Sequence, residues 1–211
     1  MPSEVIQASA LSAEDGRRIE ALRARDEAAF AALVAEYGPA MLRVARHFVR
    51  DRAVAEEVVQ EAWLRVLRGL ASFEGRSSLK TWVFTILTNT AKTRAQREGR
   101  TVPLSAVAAA AAVDPERFLQ EGRWAGYWAA PPSPWSSPEG RLLAAEAQAV
   151  IERALAELPA AQATVLTMRD ALGFGPEEVC NVLEISESNQ RVLLHRARAK
   201  VRQALEDYLR R

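Results

Sequence analysis

The sequence predicts an all-α protein built as two small helical bundles joined by a flexible linker rich in proline, tryptophan and alanine. Apolar residues recur at spacings of three and four along most of the chain, and no stretch shows the sustained alternation of a half-buried strand. Residues 99–140 depart from this pattern with runs such as PPSPW, which cannot continue a helix. We therefore expect an N-terminal tail at 1–19, a first bundle at 20–98, the linker at 99–140 and a second bundle at 141–211.

Apolar stripes predict four helices in the first bundle. The first begins near Asp26 and places Phe30, Leu33 and Tyr37 on one face, and the pair Gly38–Pro39 is expected to end it. Further helices are expected at 41–49, 54–70 and 78–98. Ser77 or Ser78 is the expected N-cap of the last helix, because a serine hydroxyl can accept from an unpaired backbone N–H.

The second bundle is predicted to end in two helices joined by a very short turn, after helices at 142–158 and 160–172. Pro176 suits the first helical position, where its missing N–H costs nothing, and Glu184 and Ile185 make the turn. Ser186 is the expected N-cap of the last helix. The core stripe of that helix is expected to consist of Leu194, Ala197, Val201, Leu205 and Tyr208.

The outer face of the last helix is basic. Ser188, Val192 and Arg196 project away from the core stripe, with Arg191 and His195 beside them. Five Arg or Lys, one His and no acid occur from residue 191 to 202. This design favours a helix-turn-helix whose second helix enters the DNA major groove. The alternative is an amphipathic hairpin with a solvated basic face.

Composition limits the other function classes. The net charge is only +1, no apolar run approaches the length needed to cross a bilayer, and the N-terminus does not resemble a signal peptide. Cys180 is the only cysteine, so no internal disulfide can form, and we expect a cytoplasmic location. The Cys180 side chain is expected to pack in the core. His47 and His195 are far apart, and no nucleotide, zinc or nucleophile motif is present. We expect no catalytic residue, metal, cofactor or small-molecule substrate.

Residues 55–75, AEEVVQEAWLRVLRGLASFEG, carry the first of three motifs of a known family. They resemble the D-A-E-D-x-x-Q-E-x-F helix of bacterial RNA polymerase sigma factors of the extracytoplasmic-function (ECF) group, in the sigma-70 family. In that family the helix grips the clamp coiled coil of core polymerase. The resemblance implies a polymerase-binding face made of Glu56, Glu57, Gln60, Glu61 and Leu64. Trp63 stands at the position of the motif's phenylalanine. A solvated acidic face is the alternative.

Residues 73–89, FEGRSSLKTWVFTILTN, resemble the loop and helix with which this family reads the −10 promoter element. The family's loop captures a base flipped from the non-template strand. Cations would neutralise phosphates, and an asparagine can bond base edges. The resemblance implies −10 contacts by Phe73, Arg76, Ser77, Lys80, Asn89, Lys92, Arg94 and Arg97. Trp82 is expected in the core, and Thr93 stands where the family often has an acid.

Residues 158–202 resemble the family's −35 domain, from Leu158–Pro159 to the run of Arg196 to Arg198. The implied −35 contacts are made by Ser188, Arg191, Val192, His195, Arg196, Arg198 and Lys200. Gln190 is expected on the core side, and Val192 can offer only apolar contact. The family's common G-T-V-K-S-R is absent here, so an unusual −35 sequence is expected.

The resemblance implies a factor that binds core RNA polymerase and directs initiation at promoter DNA, held in check by an anti-sigma factor and without membrane insertion. The three linker tryptophans, Trp124, Trp128 and Trp135, are expected to dock on a domain or a partner. One alternative is a dimeric helix-turn-helix regulator, which would need paired half-sites. Another alternative is that the first bundle is only a protein-interaction domain. The excess of six Lys or Arg over one acid from residue 76 to 100 argues against it.

Overall fold

The computed structural model describes residues 13–99 and 138–210, and this part of the chain is helical, with no strand. The predicted all-α class is therefore confirmed. Most of the predicted linker, including its tryptophans, lies outside the described residues. The helices are α1 (Ala13–Arg23), α2 (Glu27–Phe48), α3 (Arg52–Gly69), α4 (Leu79–Arg97), α5 (Pro138–Ala156), α6 (Ala160–Leu166), α7 (Pro176–Leu183) and α8 (Glu187–Leu209).

The first bundle packs α2, α3 and α4 around one apolar core. Asp26 begins α2, because its Oδ1 accepts from the backbone N–H groups of Ala28 and Ala29 at 2.8 and 3.1 Å. Asp51 caps α3 in the same way, through Ala53 at 2.7 Å. Helices α2 and α3 thus each start at an acid that satisfies the first backbone donors.

The predicted helix break at Gly38–Pro39 is wrong, because α2 runs without interruption through Pro39. A proline inside a helix costs about 3 kcal/mol through a lost hydrogen bond and a clash. Its ring lies on the exposed side, while Tyr37, Met41 and Val44 continue one buried stripe past it. Burial of that stripe offsets the local cost, since each large apolar side chain contributes about 1.5–3 kcal/mol.

Helix α1 occupies residues that the sequence predicts as part of a loose tail. Its Ile19 and Leu22 are buried in the core of the bundle. Arg18 pairs with Glu36 of α2 at 2.9 Å. The tail prediction therefore fails from residue 13 to 19, because two isolated apolar residues give little periodicity until the bundle provides a surface for them.

The helix-turn-helix has the predicted form. Pro176 occupies the first position of α7, and the Glu178 carboxylate accepts from the Gly175 backbone N–H at 2.8 Å. Glu184 ends α7 in the left-handed region, with φ of 58°. Ser186 then caps α8, where its Oγ accepts from Asn189 at 3.3 Å. The helix predicted at 160–172 is α-helical only to Leu166 and ends in a π-helical turn, Thr167–Ala171.

The two bundles share one core. Phe174, which precedes α7, packs edge-to-face on Phe84 of α4, with ring centroids 5.1 Å apart. Phe84 in turn contacts Tyr37 of α2. Helices α4 and α7 pack together, as do α2 and α6. The bundles predicted as separate units are thus in direct contact over two pairs of helices.

Within the described residues, α2 alone has the length and apolar composition that could span a membrane. Helix α2 is long enough to do so because Pro39 does not interrupt it. Its apolar side packs on α3 and α4, and a core helix of a helical bundle meets the same criterion.

Candidate nucleic-acid and protein interfaces

The outer face of α3 combines acids with exposed leucines. Its inner face is buried through Ala55, Val58, Ala62, Trp63 and Val66. On the outer face lie the five predicted polymerase-binding residues, Glu56, Glu57, Gln60, Glu61 and Leu64, of which Glu61 is half-buried and the others are exposed. The structure therefore brings all five together on the solvent side of one helix.

Leu67 adds to this face, although the sequence reading missed it. The side chains of Leu64 and Leu67 are 52% and 45% exposed and lie one turn apart. Large exposed leucines side by side mark an interaction surface more often than scattered ones do. The signal was available, because Leu67 falls outside the apolar stripe formed by Val58, Ala62 and Val66.

The loop before α4 is held from both sides. Phe73, a predicted −10 residue, is buried, and its ring lies 4.7 Å from that of Trp82. From α1, Arg23 donates to the backbone oxygen of Phe73 at 2.7 Å. An open cleft of about 530 Å³ lies between α1 and residues 71–75. Arg23 is thus a positioning residue. It was missed in the sequence because the loop that it contacts lies 50 residues further along the chain.

The remaining −10 residues lie around α4. Ser78 caps this helix by accepting from Thr81, and the neighbouring Ser77 is half-buried. Arg76 lies on the exposed loop and pairs with Glu74. Arg94 pairs with Glu57 and Glu98, at 3.0 and 2.9 Å. Arg97 is exposed in the last turn.

Three other predicted −10 residues are engaged by the second bundle. Lys80 donates to the backbone oxygen of Leu172 at 2.5 Å and lies 4.2 Å from the centre of the Phe174 ring. Lys92 donates to the oxygen of Leu183 at 3.2 Å. Asn89 donates to the carboxylate of Glu184 at 3.4 Å. The part of the predicted −10 face that contains Lys80, Asn89 and Lys92 is therefore covered by α7 and its flanking turns.

The outer face of α8 is open by comparison. Ser188, Arg191 and Val192 are exposed, and Gln190 is buried on the core side as expected. His195 and Arg196 are half-buried. The N-terminal half of α8 therefore presents a short polar and apolar surface of the size that a major groove accepts.

The cations further along α8 are paired within the second bundle. Arg198 makes two hydrogen bonds to Asp170, at 2.9 and 2.7 Å, and its side chain is only 12% exposed. Lys200 is exposed and lies 3.6 Å from Glu157. Arg191 pairs with Glu187 one turn before it. Arg198 thus anchors α8 to the π-helical turn Thr167–Ala171, whereas Arg191 and Lys200 remain accessible at the surface.

Comparison with known proteins agrees with this arrangement. A model of the family described as Sigma-70 region 2 matches residues 33–101, and one described as Sigma-70, region 4 matches residues 148–201. The RNA polymerase sigma-H factor of Pseudomonas aeruginosa is 32% identical over 197 residues, which cover 93% of this chain and 96% of that protein. The chain belongs to the sigma-70 family of RNA polymerase sigma factors.

Further relatives place this sigma factor in the ECF group. The ECF RNA polymerase sigma-E factor of Escherichia coli is 28% identical, over 92% of this chain and 95% of that protein. A solved complex of the sigma factor RpoE with the anti-sigma factor NepR, from Bartonella quintana, contains a chain of similar fold, with a TM-score of 0.56 and 23% identity. That similarity covers 84% of this chain and 96% of the other.

Burial shapes the electrostatics of the covered α4 face of this sigma factor. Desolvation lowers the pKa of both Lys80 and Lys92 below the ordinary lysine value. Burial alone would raise the pKa of Glu178, but hydrogen bonds from Thr81, Gly175 and Ser78 outweigh it and lower that pKa. The carboxylate of Glu178 is therefore held in its charged form between the two bundles.

A second contact between the bundles centres on His47 of α2. Its Nε2 lies 3.0 Å from the Thr167 hydroxyl. Burial, and then the nearby Arg46 and Arg43, lower the pKa of His47 to about 4. The imidazole is therefore neutral at pH 7. A groove of about 870 Å³ opens beside it, and Asp170 and Arg202 also line that groove.

No group of three or more His, Cys, Asp or Glu that could hold a metal ion occurs among the described residues. Cys180 of α7 is half-buried, and burial raises the pKa of its thiol. A protonated thiol is a poor nucleophile and metal ligand.

Proposed function

We propose that this ECF sigma factor binds core RNA polymerase and directs initiation at promoters by reading a −10 element with region 2 and a −35 element with region 4. Region 2 denotes residues 33–101 and region 4 residues 148–201, as matched above. The observation that carries the proposal is the presence of both regions in one chain that aligns along nearly its whole length with a sigma factor.

The polymerase-binding surface is the outer face of α3, here called the α3 face and made of Glu56, Glu57, Gln60, Glu61, Leu64 and Leu67. Its two exposed leucines supply apolar area for a central contact, and its carboxylates accept from basic residues of a partner. The ion pairs that these acids make locally are exposed, and such pairs contribute only about 0–1 kcal/mol. The acids can therefore exchange partners at little cost.

The −10 element is read by the loop before α4 and by α4 itself. The cleft beside the loop has a volume of about 530 Å³, within the range of roughly 300–1,000 Å³ that is usual for ligand pockets. A base flipped from the non-template strand fits such a cleft. In this proposal Arg76, Lys80, Lys92, Arg94 and Arg97 neutralise phosphates, and Asn89 bonds a base edge.

The −35 element is read by the first turns of α8. Ser188, Arg191 and Val192 are exposed there, and recognition helices contact bases through their N-terminal residues. His195 borders this surface. Lys200 lies further along and meets phosphate. Arg196 and Arg198 act chiefly in holding α8 in place, because both are partly buried.

The chain itself performs no chemical step in this proposal, and nucleotide addition belongs to core polymerase. It acts in the cytoplasm, where the DNA and polymerase are. An anti-sigma factor is the expected regulator, as in the Bartonella complex. Membership of the sigma-70 family favours this function over a dimeric helix-turn-helix regulator.

Reconstitution with core polymerase tests the proposal. The chain should co-purify with core enzyme and direct run-off transcription from a discrete set of genomic promoters. Replacing Leu64 and Leu67 with Ala should weaken core binding at least about tenfold, as expected when central interface side chains are truncated. The matched control is Leu209→Ala, because Leu209 is also an exposed leucine but lies at the end of α8.

Undiminished core binding by the double variant would show that the α3 face is not the polymerase surface. Tight, specific DNA binding as a dimer, without any association with core polymerase, would refute the proposed function as a whole.

A further inference from the structure

Helix α1 lies against the loop that the proposed function assigns to the −10 element, although it precedes the residues matched as region 2. It packs on α2 and on the short 3-10 turn, Leu70–Ser72, that leads into the loop. Four residues of α1 form one wall of the cleft of about 530 Å³, and residues 71–75 form the other. A helix outside the matched region therefore makes one side of a candidate DNA-reading site.

Helix α1 is fixed in place by its buried side chains and by the turn that follows it. Ile19 and Leu22 lie in the core of the bundle. Two backbone hydrogen bonds close the turn, from Arg25 to the oxygen of Leu22 and from Asp26 to that of Ala21, both at 3.1 Å. Arg25 lies in the left-handed region, with φ of 60°, which is a common way for a helix to end. Because Asp26 is also the N-cap of α2, helix α1 is tied firmly to the core of the first bundle.

Arg23, in the last turn of α1, bonds the backbone of the loop. Its Nη2 donates to the oxygen of Phe73 at 2.7 Å, and its Nε donates to that of Leu70 at 3.5 Å. Glu20, one turn earlier, accepts from Nη1 of the same guanidinium at 3.4 Å. A guanidinium is planar and carries its donors in a fixed geometry, so it can hold two carbonyl oxygens at once. Arg23 therefore ties both ends of the 3-10 turn to α1.

The ring of Phe73 fixes the same point of the loop from its other side. It is buried and lies 4.7 Å from the ring of Trp82 of α4. Phe73 is thus held at its backbone by α1 and at its side chain by α4. Beyond it, Glu74 and Arg76 are exposed, and Gly75 between them has φ of 72°, in the region that favours glycine. The exposed part of the loop therefore starts from a fixed point, and its direction there sets the shape of the cleft.

We propose that Arg23 is a specificity-determining positioning residue for the −10 element, which holds the loop at Phe73 so that the cleft keeps the shape that accepts one base. This inference rests on the proposed function, because that function places the flipped base in the cleft. A loop that is already ordered loses less conformational entropy on binding, and it cannot move to accommodate a wrong base. Arg23 therefore controls the preference at one promoter position without touching a base.

A library of promoters with a randomised −10 element tests this role, with core polymerase and the full-length chain. Arg23→Ala should reduce initiation at the preferred −10 sequences about tenfold, the effect expected when a hydrogen bond from a charged group is lost. The loss should be confined to one −10 position, where the preference for the best base should decline by about the same factor. Preferences at the other −10 positions and in the −35 element should not change.

Two further variants separate positioning from charge. Arg17→Ala removes the same charge from an exposed position of α1 outside the cleft, and it should change initiation less than about twofold. Arg23→Lys keeps the charge and one donor, so it should recover part of the discrimination. A direct phosphate contact by Arg23 would instead weaken all −10 sequences alike. It would also make the slope of log binding constant against log salt concentration shallower by about one, and that pair of results would overturn the proposal.

Hydrogen exchange of the free protein measures how firmly the loop is held, without any DNA. The Phe73 amide donates to the oxygen of Leu70 at 3.3 Å. Arg23→Ala should speed the exchange of that amide several-fold, because Arg23 bonds the oxygens at both ends of this turn. The amides of α4 should exchange at their wild-type rates, which shows that the variant is folded. Unchanged exchange at Phe73 would overturn the proposal.

These measurements separate the inference from the proposed function. A wild-type chain that neither binds core polymerase nor directs initiation would refute the proposed function. A wild-type chain that directs initiation, but whose Arg23→Ala variant keeps every −10 preference, would refute only the role of Arg23.

Discussion

The two candidate DNA-reading surfaces differ in where their charges find partners. On α8, Arg191, Arg198 and Lys200 pair with Glu187, Asp170 and Glu157, all of them in or beside region 4. On α4, in contrast, Lys80, Asn89 and Lys92 donate to groups of the other bundle. Region 4 carries its own neutralising acids, whereas region 2 depends on region 4 for part of its own.

This difference has a consequence for availability. A surface whose partners lie in its own domain stays unchanged when the domains move relative to one another. A surface with partners in another domain loses those partners when that domain leaves. We therefore expect region 4 to be competent for duplex DNA at all times, and region 2 to be competent only after separation.

The largest effect is expected at Phe174, which belongs to both bundles. Phe174→Ala should reduce the free energy of unfolding by about 3–5 kcal/mol, because it leaves a cavity between Phe84 and α7. It should also raise the acetylation rate of Lys80. Urea unfolding measures the first effect and mass spectrometry the second. Leu209→Ala, at a side chain that is 75% exposed, should change stability by no more than about 0.5 kcal/mol.

Acid should weaken the second contact between the bundles, the one that centres on His47 of α2. The His47 pKa is about 4 in the folded protein and 6.5 as its ordinary value, so folding favours the neutral ring. Its contribution is complete above pH 6.5 and is lost as the pH falls toward 4, by up to roughly 3 kcal/mol. Unfolding free energies measured from pH 7 to 5 should therefore decline.

His47→Gln should flatten that decline, since glutamine can still bond Thr167 but does not titrate. Glu178 does not confuse this window, because its pKa lies below the ordinary value of 4.5 and its contribution is lost only at lower pH. An equal decline in the variant would assign the pH dependence to other groups.

On the open surface, Arg191 and Lys200 should behave differently. If Arg191 makes a bidentate contact to guanine, Arg191→Ala should cost roughly 1–3 kcal/mol of binding free energy at cognate promoters and so lower initiation there. The variant should also relax discrimination at one or two −35 positions. Lys200→Ala should weaken binding to all promoters alike. It should also make the slope of log binding constant against log salt concentration shallower by about one. A library of randomised −35 elements distinguishes the two. The same uniform loss in both variants would make Arg191 a phosphate contact.

The smallest effect is expected at the anchor of α8. Asp170→Asn should cost about 1 kcal/mol of stability, because it weakens the paired hydrogen bonds to Arg198 at a partly exposed site. The acetylation of Lys80 and Lys92 should not change, since the pair lies within region 4. A rise in their reactivity would show that the two surfaces are coupled through α8.

The sequence was sufficient wherever a structural signal is local. Ser186 caps α8 as predicted, and Ser78, one of the two serines expected, caps α4. Pro176 begins α7, and Gln190 faces the core. A cap depends on residues within one turn, and the side of a helix depends on a period of 3.6 residues. The five residues predicted on the α3 face lie together for the same reason.

The sequence failed where a local cost is offset by distant packing. Pro39 reads as a helix end, yet the stripe on either side of it is buried against other helices. Ile19 was predicted in the tail, because Ile19 and Leu22 are too few to define a helical period. Arg23 reaches the oxygen of Phe73, 50 residues further along the chain. Such contacts have no signature in neighbouring residues.

By itself, the sequence determined the helical class, the helix-turn-helix and the acidic and basic faces, because helix periodicity and capping act over a few residues. Only the tertiary structure decided which of those faces is covered. The bond between Thr81 and Glu178 joins residues 97 positions apart, and that between Lys80 and Leu172 joins residues 92 apart. A basic stripe looks the same in a sequence whether water, DNA or another helix lies against it, since complementarity between distant surfaces exists only after the chain has folded.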